Sequence, residues 1–301
     1  MGVLTESRVI GQSTDNMKSI TLDAPAKINL YLDVISKRRD SYHNIATIFQ
    51  KLKICDTIKV SIVKKGISLC TDSPDLPSSR ANLAYKAASL VKNEFKIKDG
   101  IAISIKKRIP IAAGLGGGSS DAASVIAAMA KLFNLRLSRL RLILLARAIG
   151  ADVGFFTSGY NCAIGRGIGD RLTEIKTPAQ CYILALVPRV YIYTKTIYSK
   201  LTLRLTKPGM DVNLFAHILS SKDGLFRVRN SLYNRLEDAV LPIYPIVSEG
   251  KKILSLYTEG VLLSGSGPTV FALFRKRKEA VKAKKDIKAD RRWQLFLTET
   301  A

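Results

Sequence analysis

The chain has 301 residues, 47% apolar and 24% charged. That is enough for one large or two ordinary globular domains with a sizeable core, and it excludes a disordered chain. Lys and Arg number 48 against 24 Asp and Glu, and the net charge of +24 favours anionic partners: nucleic acid, acidic lipid or phosphorylated small molecules. Cys55, Cys70, Cys162 and Cys181 form no CxxC pair and the only histidines, His43 and His217, are far apart, so neither a disulfide framework nor a protein-built metal site is expected.

In chain order, residues 1–20 mix Glu6, Arg8, Asp15 and Lys18 with small polar residues. They read as a loose N-terminal extension, neither secretory signal nor transit peptide. Residues 57–63 alternate as a half-buried strand, and Ile101, Ile103 and Ile105 share one face of another, which ends at Lys106 to Arg108. The segment IPIAAGLGGGSSDAASVIAAMAKLFNL follows: a Pro-led approach, a glycine turn and an Ala-rich helix over 119–133. Ser138 is placed as the N-cap of an apolar helix ending near Gly150, which delivers Asp152 at a helix-to-loop junction. Polar residues around Pro178, in 173–180, mark a domain joint before a buried strand over 181–187. Helices are expected at 213–220, 230–239 and 245–258, then strand, glycine turn and strand in VLLSGSGPTVFALF. Residues 275–292 carry ten Lys or Arg against three acids, the solvated face of a last helix. No apolar run approaches the roughly 20 residues a membrane span needs.

The chemistry centres on Gly114, Leu115, Gly116, Gly117, Gly118, Ser119 and Ser120. A glycine loop opening a helix lets successive backbone N–H groups close on an anion that the helix dipole also favours. The loop lacks the Lys of a GxxxxGK[ST] P-loop and its glycines do not fit GxGxxG; no HRD or DFG triplet occurs. Taken alone, it is explained equally well by a flexible turn.

Read with Ala24-Pro-Ala-Lys-Ile-Asn-Leu30, Asp40-Ser-Tyr-His43, Gly150-Ala-Asp-Val153 and Ser264-Gly-Ser-Gly-Pro-Thr269, the loop resembles that of the GHMP-kinase superfamily. APAKINL, the D-x-Y-H and the triple glycine are similar, within it, to the kinases that act on 4-diphosphocytidyl-2-C-methyl-D-erythritol. The resemblance spans about residues 20 to 275. It implies an α+β, two-domain GHMP-kinase fold: a ribosomal-protein-S5-domain-2-like N-terminal domain over 21–176 and a ferredoxin-like C-terminal domain over 177–301. The implied enzyme is a small-molecule phosphotransferase with an alcohol acceptor. It moves the γ-phosphoryl of ATP, with Mg2+, onto the acceptor's 2-hydroxyl in the non-mevalonate route to isoprenoids.

The resemblance also implies the site. Asp152 orients and deprotonates the hydroxyl, while Lys27 holds Asp152 ionised and offsets transition-state charge. Pro110, Ile111, Ala112 and Ala113 lead into the glycines that bind phosphate, and Ser119 or Ser120 supplies the hydroxyl near magnesium. Asn82 and Lys107 match positions flanking the adenine, although a helix cap and an exposed strand end explain them equally well. Tyr42, His43 and Tyr198 read the cytidine by stacking and by the imidazole edge, and Asn29 shares a strand face with Lys27 and bonds substrate. Arg189 and Gly154 depart from the family's usual Gly and Pro. Two rivals remain: a sister kinase for mevalonate or homoserine, opposed by Tyr42-His43 and the triple glycine, and a nucleic-acid-binding protein, opposed by the lack of any recognition signature. The expected partner is therefore the cytidylyl small molecule, with no nucleic acid and no membrane, in a cytoplasmic monomer or homodimer.

Overall fold

A computed structural model describes residues 18–176, 180–201, 210–287 and 290–301. Most of the proposed N-terminal extension, and residues 177–179 of the expected domain joint, lie outside the described residues; Ser19 and Ile20 already belong to a strand. Two compact units are present. One draws on the described residues up to Ala26 and on Ile54–Ile111 and Gly116–Gly159; the other on Lys27–Lys53, Ala112–Leu115 and Tyr160–Ala301.

Two long strands, β1 (Ser19–Lys37) and β2 (His43–Val63), contribute to both units. The first unit adds β3 (Ile67–Thr71), α1 (Leu83–Glu94), β4 (Gly100–Lys106), α2 (Gly117–Leu132), α3 (Arg139–Ile149) and α4 (Val153–Thr157). Residues 57–63 of β2 run antiparallel to β4, and β3 lies parallel on β4's other edge. Ile101, Ile103 and Ile105 turn into one core with Ala84, Ala87 and Ala88 of α1 and Ala122, Val125, Ile126 and Met129 of α2. The alternation of the strand and the small residues of the two helices account for this layer. Ser138 caps α3, its Oγ accepting from Arg141 N at 3.2 Å, and Gly150 closes it with an N–H to Ala146 O at 3.0 Å.

In the second unit β5 (Cys162–Gly167) pairs antiparallel with residues 45–50 of β2 and with β6 (Arg171–Glu174). The chain continues through β7 (Tyr182–Pro188), α5 (Thr194–Lys200), α6 (Val212–Leu219), α7 (Gly224–Arg227), β8 (Tyr233–Asn234), α8 (Glu237–Ile243), α9 (Pro245–Ser255), β9 (Val261–Leu263), β10 (Val270–Phe274), α10 (Arg277–Asp286) and β11 (Trp293–Glu299). Strands β11, β7, β10 and β9 form one antiparallel sheet in that order. Leu184, Leu186 and Ala272 of this sheet share a core with Val247 and Leu254 of α9 and Ala280 and Ala283 of α10.

Two sequence expectations are corrected. The helix expected at 230–239 begins only at Glu237; before it, Tyr233 and Asn234 pair in parallel with Tyr31 and Leu32. The buried Asn234 amide explains the break, donating to Leu263 O and Gly265 O, both at 2.8 Å, while its Oδ1 accepts from Leu236 N. The basic helix stops at Asp286, and Trp293 opens a strand instead. Asp152 lies in the turn that follows α3, at the helix-to-loop junction expected, and the short helix α4 begins at the next residue.

Candidate active site

In the second unit, β1 carries its polar residues on one face. Lys27, Asn29, Tyr31 and Asp33 alternate with Ile28, Leu30, Leu32 and Val34, and all eight are buried. Buried polar groups need partners, and these have them. Lys27 Nζ donates to Asn29 Oδ1 at 2.8 Å and lies 5.5 Å from the centre of the Phe49 ring. Asn29 Nδ2 donates to Thr47 Oγ1 at 2.7 Å, and Thr47 in turn donates to Tyr31 O at 2.7 Å. This run of hydrogen bonds ties the Lys27 ammonium through two side chains, Asn29 and Thr47, to the backbone of Tyr31.

Two glycine segments meet over this row. Lys27 N donates to Leu115 O at 2.9 Å, and Ser264 Oγ donates to Gly114 O at 2.9 Å. Gly114 has φ +76° and a Cβ there would lie 2.2 Å from Ser264 O, so only glycine fits. A Cβ on Gly265 would stand 3.5 Å from both Lys27 Nζ and Asn29 Oδ1, which places that turn directly against the polar row. Ala112 is held at φ +53°, an uncommon conformation for a residue with a side chain and one that clusters at functional sites.

The same unit brings together two of the three residues expected to read cytidine. His43, the first residue of β2, and Tyr198 of α5 have ring centres 5.0 Å apart at an interplanar angle of 36°. Partial burial, with Lys37 nearby, holds the His43 imidazole below its ordinary pKa, so it is neutral at neutral pH. Tyr42 is exposed on the preceding turn, where its N–H donates to Asp40 Oδ1 at 3.1 Å. Thr194, which opens α5, shares a 2.8 Å hydrogen bond with Ser266.

In the first unit, Pro110 and Ile111 precede the start of α2, whose N-cap is Gly116 in the left-handed conformation. Glycine supplies no capping side chain, so the N–H groups of Gly117, Gly118 and Ser119 have no intrahelical acceptor and the helix begins open to an anion. Ser119 is half-buried; Ser120 is buried and its Oγ has no hydrogen-bond partner. Asn82 caps α1, its Oδ1 accepting from Ala84 N and its Nδ2 donating to Pro77 O, both at 2.9 Å. Asp152 occupies the N-cap position of α4 without its carboxylate capping that helix.

Lys107 is no exposed strand end. Its side chain is 7% exposed and its Nζ donates to Asp56 and, at 3.0 Å, to Asp121 Oδ2. Burial pushes the Asp121 carboxyl up to about 7, with Lys107 opposing and Asp56 reinforcing the shift. Sequence reasoning missed Asp56, Asp121 and Thr47. Asp121 does follow the two serines of the glycine segment, but nothing near Asp56 marks it. Among the described residues no group of three or more His, Cys, Asp or Glu could hold a metal ion.

Comparison with known proteins places both units. Residues 82–164 match GHMP kinases N terminal domain and residues 220–290 match GHMP kinases C terminal. The chain is 42% identical over 265 residues to the 4-diphosphocytidyl-2-C-methyl-D-erythritol kinase of Caldicellulosiruptor saccharolyticus, covering 87% of this chain and 90% of the relative. It is 38% identical over 285 residues to the kinase of the same name from Acetivibrio thermocellus, covering 94% of this chain and all of the relative. A crystal structure of 4-(cytidine 5'-diphospho)-2C-methyl-D-erythritol kinase superposes with a TM-score of 0.79 at 31% identity, over 94% of this chain and 99% of that one. The chain belongs to the 4-diphosphocytidyl-2-C-methyl-D-erythritol kinase family of the GHMP kinases.

Proposed function

We propose that this chain transfers the γ-phosphoryl of ATP to the 2-hydroxyl of 4-diphosphocytidyl-2-C-methyl-D-erythritol, a step in isoprenoid precursor synthesis. The observation that carries this reading is the 38% identity to a kinase of that name along that relative's full length. The tilted His43–Tyr198 ring pair supports the acceptor: it offers an aromatic face and a neutral imidazole edge, which suit cytosine better than the small aliphatic mevalonate or homoserine.

Phosphoryl transfer asks the protein for position and charge more than for covalent help. The open start of α2 receives phosphate oxygens through backbone N–H groups, with Asn82 and Lys107 on the adenine side. Asp152 takes the hydroxyl proton as the acceptor oxygen bonds to the γ-phosphorus; the bond from that phosphorus to the β-bridging oxygen breaks and ADP leaves. Lys27, fixed by Asn29, offsets the negative charge of the transferring group, and Asn29 also faces the acceptor. The loop fits a hard cation carried in on the nucleotide, because Ser120 keeps an unpartnered hydroxyl oxygen. Ser119 or Ser120 would hold Mg2+, which when bound neutralises charge on the phosphate oxygens. On this reading the protein acts in the cytoplasm as a monomer or homodimer, without nucleic acid; no helix among the described residues is long and apolar enough to cross a membrane.

The test is ADP release with MgATP, comparing the cytidylyl substrate with mevalonate and homoserine beside a no-acceptor control. Turnover with the cytidylyl substrate alone is expected. Turnover with either other acceptor instead would keep the fold and reassign the substrate.

A further inference from the structure

Three charged groups are buried together in the first unit against the start of α2, and two of them, Asp56 and Asp121, receive no task in phosphoryl transfer. Asp56 is fully buried in β2. Its Oδ1 accepts two backbone N–H groups, from Arg108 at 2.6 Å and Ile109 at 2.8 Å, and its other oxygen accepts from Lys107 Nζ. Asp121, in the second turn of α2 and 1% exposed, accepts from the same ammonium at 3.0 Å, while its Oδ1 has no partner. The Lys107 ammonium also lies against the first residue of α2, since a Cβ on Gly117 would come within 3.3 Å of Nζ.

Each bond has a geometric consequence. The carboxylate of Asp56 fixes the backbone turn at residues 108–109, immediately before Pro110, where the chain leaves the sheet for the glycine segment. Asp121 fixes the far side of that segment, the start of α2. Lys107 joins the two carboxylates, and its own N–H donates to Asp72 Oδ1 at 2.8 Å. An uncapped glycine helix start is soft, because neither Gly116, Gly117 nor Gly118 has a side chain to anchor it. The ion cluster supplies the anchor. Anion binding by backbone N–H groups depends on their direction, so anchoring the turn and the helix start fixes that direction before nucleotide arrives.

We propose that Asp56 and Asp121 are positioning residues for the ATP-phosphate segment, acting through Lys107 and touching no substrate themselves. The inference rests on the reading of that segment as the ATP site and adds to it that the Lys107 side chain serves as an internal counter-ion.

The experiment measures steady-state kinetics and direct ATP binding for Asp121→Ala, Asp121→Asn, Asp56→Asn and Lys107→Met, each checked for folding by circular dichroism. Asp121→Ala is expected to raise KM for MgATP about tenfold while KM for the cytidylyl substrate stays within about twofold. Asp121→Asn keeps an oxygen acceptor for Lys107 and is expected to restore most of the ATP affinity. Should Lys107→Met or Asp56→Asn fail to fold, the Ala and Asn pair at 121 still decides, since Asp121→Ala leaves Lys107 bonded to Asp56. An unchanged KM for ATP in folded Asp121→Ala would overturn the proposal, as would an equal rise for both substrates or no difference between Ala and Asn. Wild-type protein that binds no ATP would instead sink the reading of the segment, a result distinct from any of these.

Discussion

Lys27 Nζ donates a 2.8 Å hydrogen bond to Asn29 Oδ1, two residues along the same face of β1, and Asn29 in turn donates to Thr47. The ammonium is therefore aimed by an amide that is itself aimed by a hydroxyl. Removing the middle member leaves Lys27 and Thr47 each short of a partner in a buried place, a loss of about 1–3 kcal/mol. Asn29→Ala is expected to lower the denaturation midpoint and to reduce kcat by about tenfold to a hundredfold. Lys27→Met keeps the shape and removes the charge, and is expected to reduce kcat by roughly a hundredfold or more with ATP binding little changed. If Asn29→Ala turned over at the wild-type rate, the amide would have no part in placing Lys27.

Asp152 occupies the N-cap position at the start of α4, and its carboxylate makes no capping hydrogen bond to that helix. Asp152→Asn keeps size and shape and removes the base. Loss of a general base lowers turnover by about a hundredfold to ten-thousandfold. That fall in kcat, with ATP affinity retained in a direct binding titration, is the expected result; a fall of less than tenfold would assign proton removal elsewhere.

How legible these features were depended on which physical signal each residue carried. Ile101, Ile103 and Ile105 alternate, Ser138 and Gly150 punctuate, and the Ala-rich run after the glycines has strong helix propensity, so β4, α3 and α2 could be read directly. The middle of β1 alternates polar and apolar residues, a pattern that reads as one solvated face, yet Lys27 and Asn29 are buried along with Ile28 and Leu30, so the alternation does not mark the polar row as a site. Its chemistry was legible only through resemblance. Asn234 misled because its local pattern suits a helix, while two tertiary hydrogen bonds and one local one hold it in a strand. The ion cluster around Lys107 was invisible for a related reason: Asp56, Lys107 and Asp121 are 51 and 14 residues apart, and spacing carries no sign of their meeting.

The His43–Tyr198 pair predicts a pH dependence confined to one substrate. The imidazole is held below its ordinary value, first by burial and then by Lys37, so it stays neutral from alkaline pH down to the ordinary histidine value of about 6.5 and charges only below it. A neutral ring keeps one acceptor nitrogen and one donor for the base edge; the charged ring has donors only. KM for the cytidylyl substrate is therefore expected to be flat between pH 8 and 7 and to rise below about 6.5, while KM for ATP does not follow. His43→Ala should raise the first KM and abolish that rise. A wild-type KM already climbing between pH 8 and 7 would contradict the neutral assignment.

Gly114 tests the meeting of the two glycine turns. Its φ of +76° already disfavours a side chain by about 1–2 kcal/mol, and a Cβ would come 2.2 Å from the backbone oxygen of Ser264, an atom that cannot swing aside. Gly114→Ala is expected to lower thermal stability and to reduce turnover by at least tenfold. Gly66, with a similar φ of +78° but open space around its absent side chain, is the control: Gly66→Ala should show the conformational loss alone and keep full turnover. Equal behaviour of the two variants would mean that the approach to Ser264 is unimportant.

Asp121 makes the stability of the fold depend on pH in an unusual direction. Burial raises its carboxyl from an ordinary value near 4 to about 7, against the pull of Lys107 and with the push of Asp56, the two charged groups that face it. Between these values the folded chain binds a proton that the unfolded chain has already lost, so this group's contribution to stability is fully present below about pH 4 and declines as pH rises to about 7. Most paired carboxylates act the opposite way. Asp121→Asn removes the titration but keeps an acceptor for Lys107, so the urea unfolding free energy of the variant minus that of wild type should grow from pH 5 to pH 8. A difference that is constant over this range, or that shrinks as pH rises, would show that Asp121 is ionised throughout and that Lys107 outweighs burial.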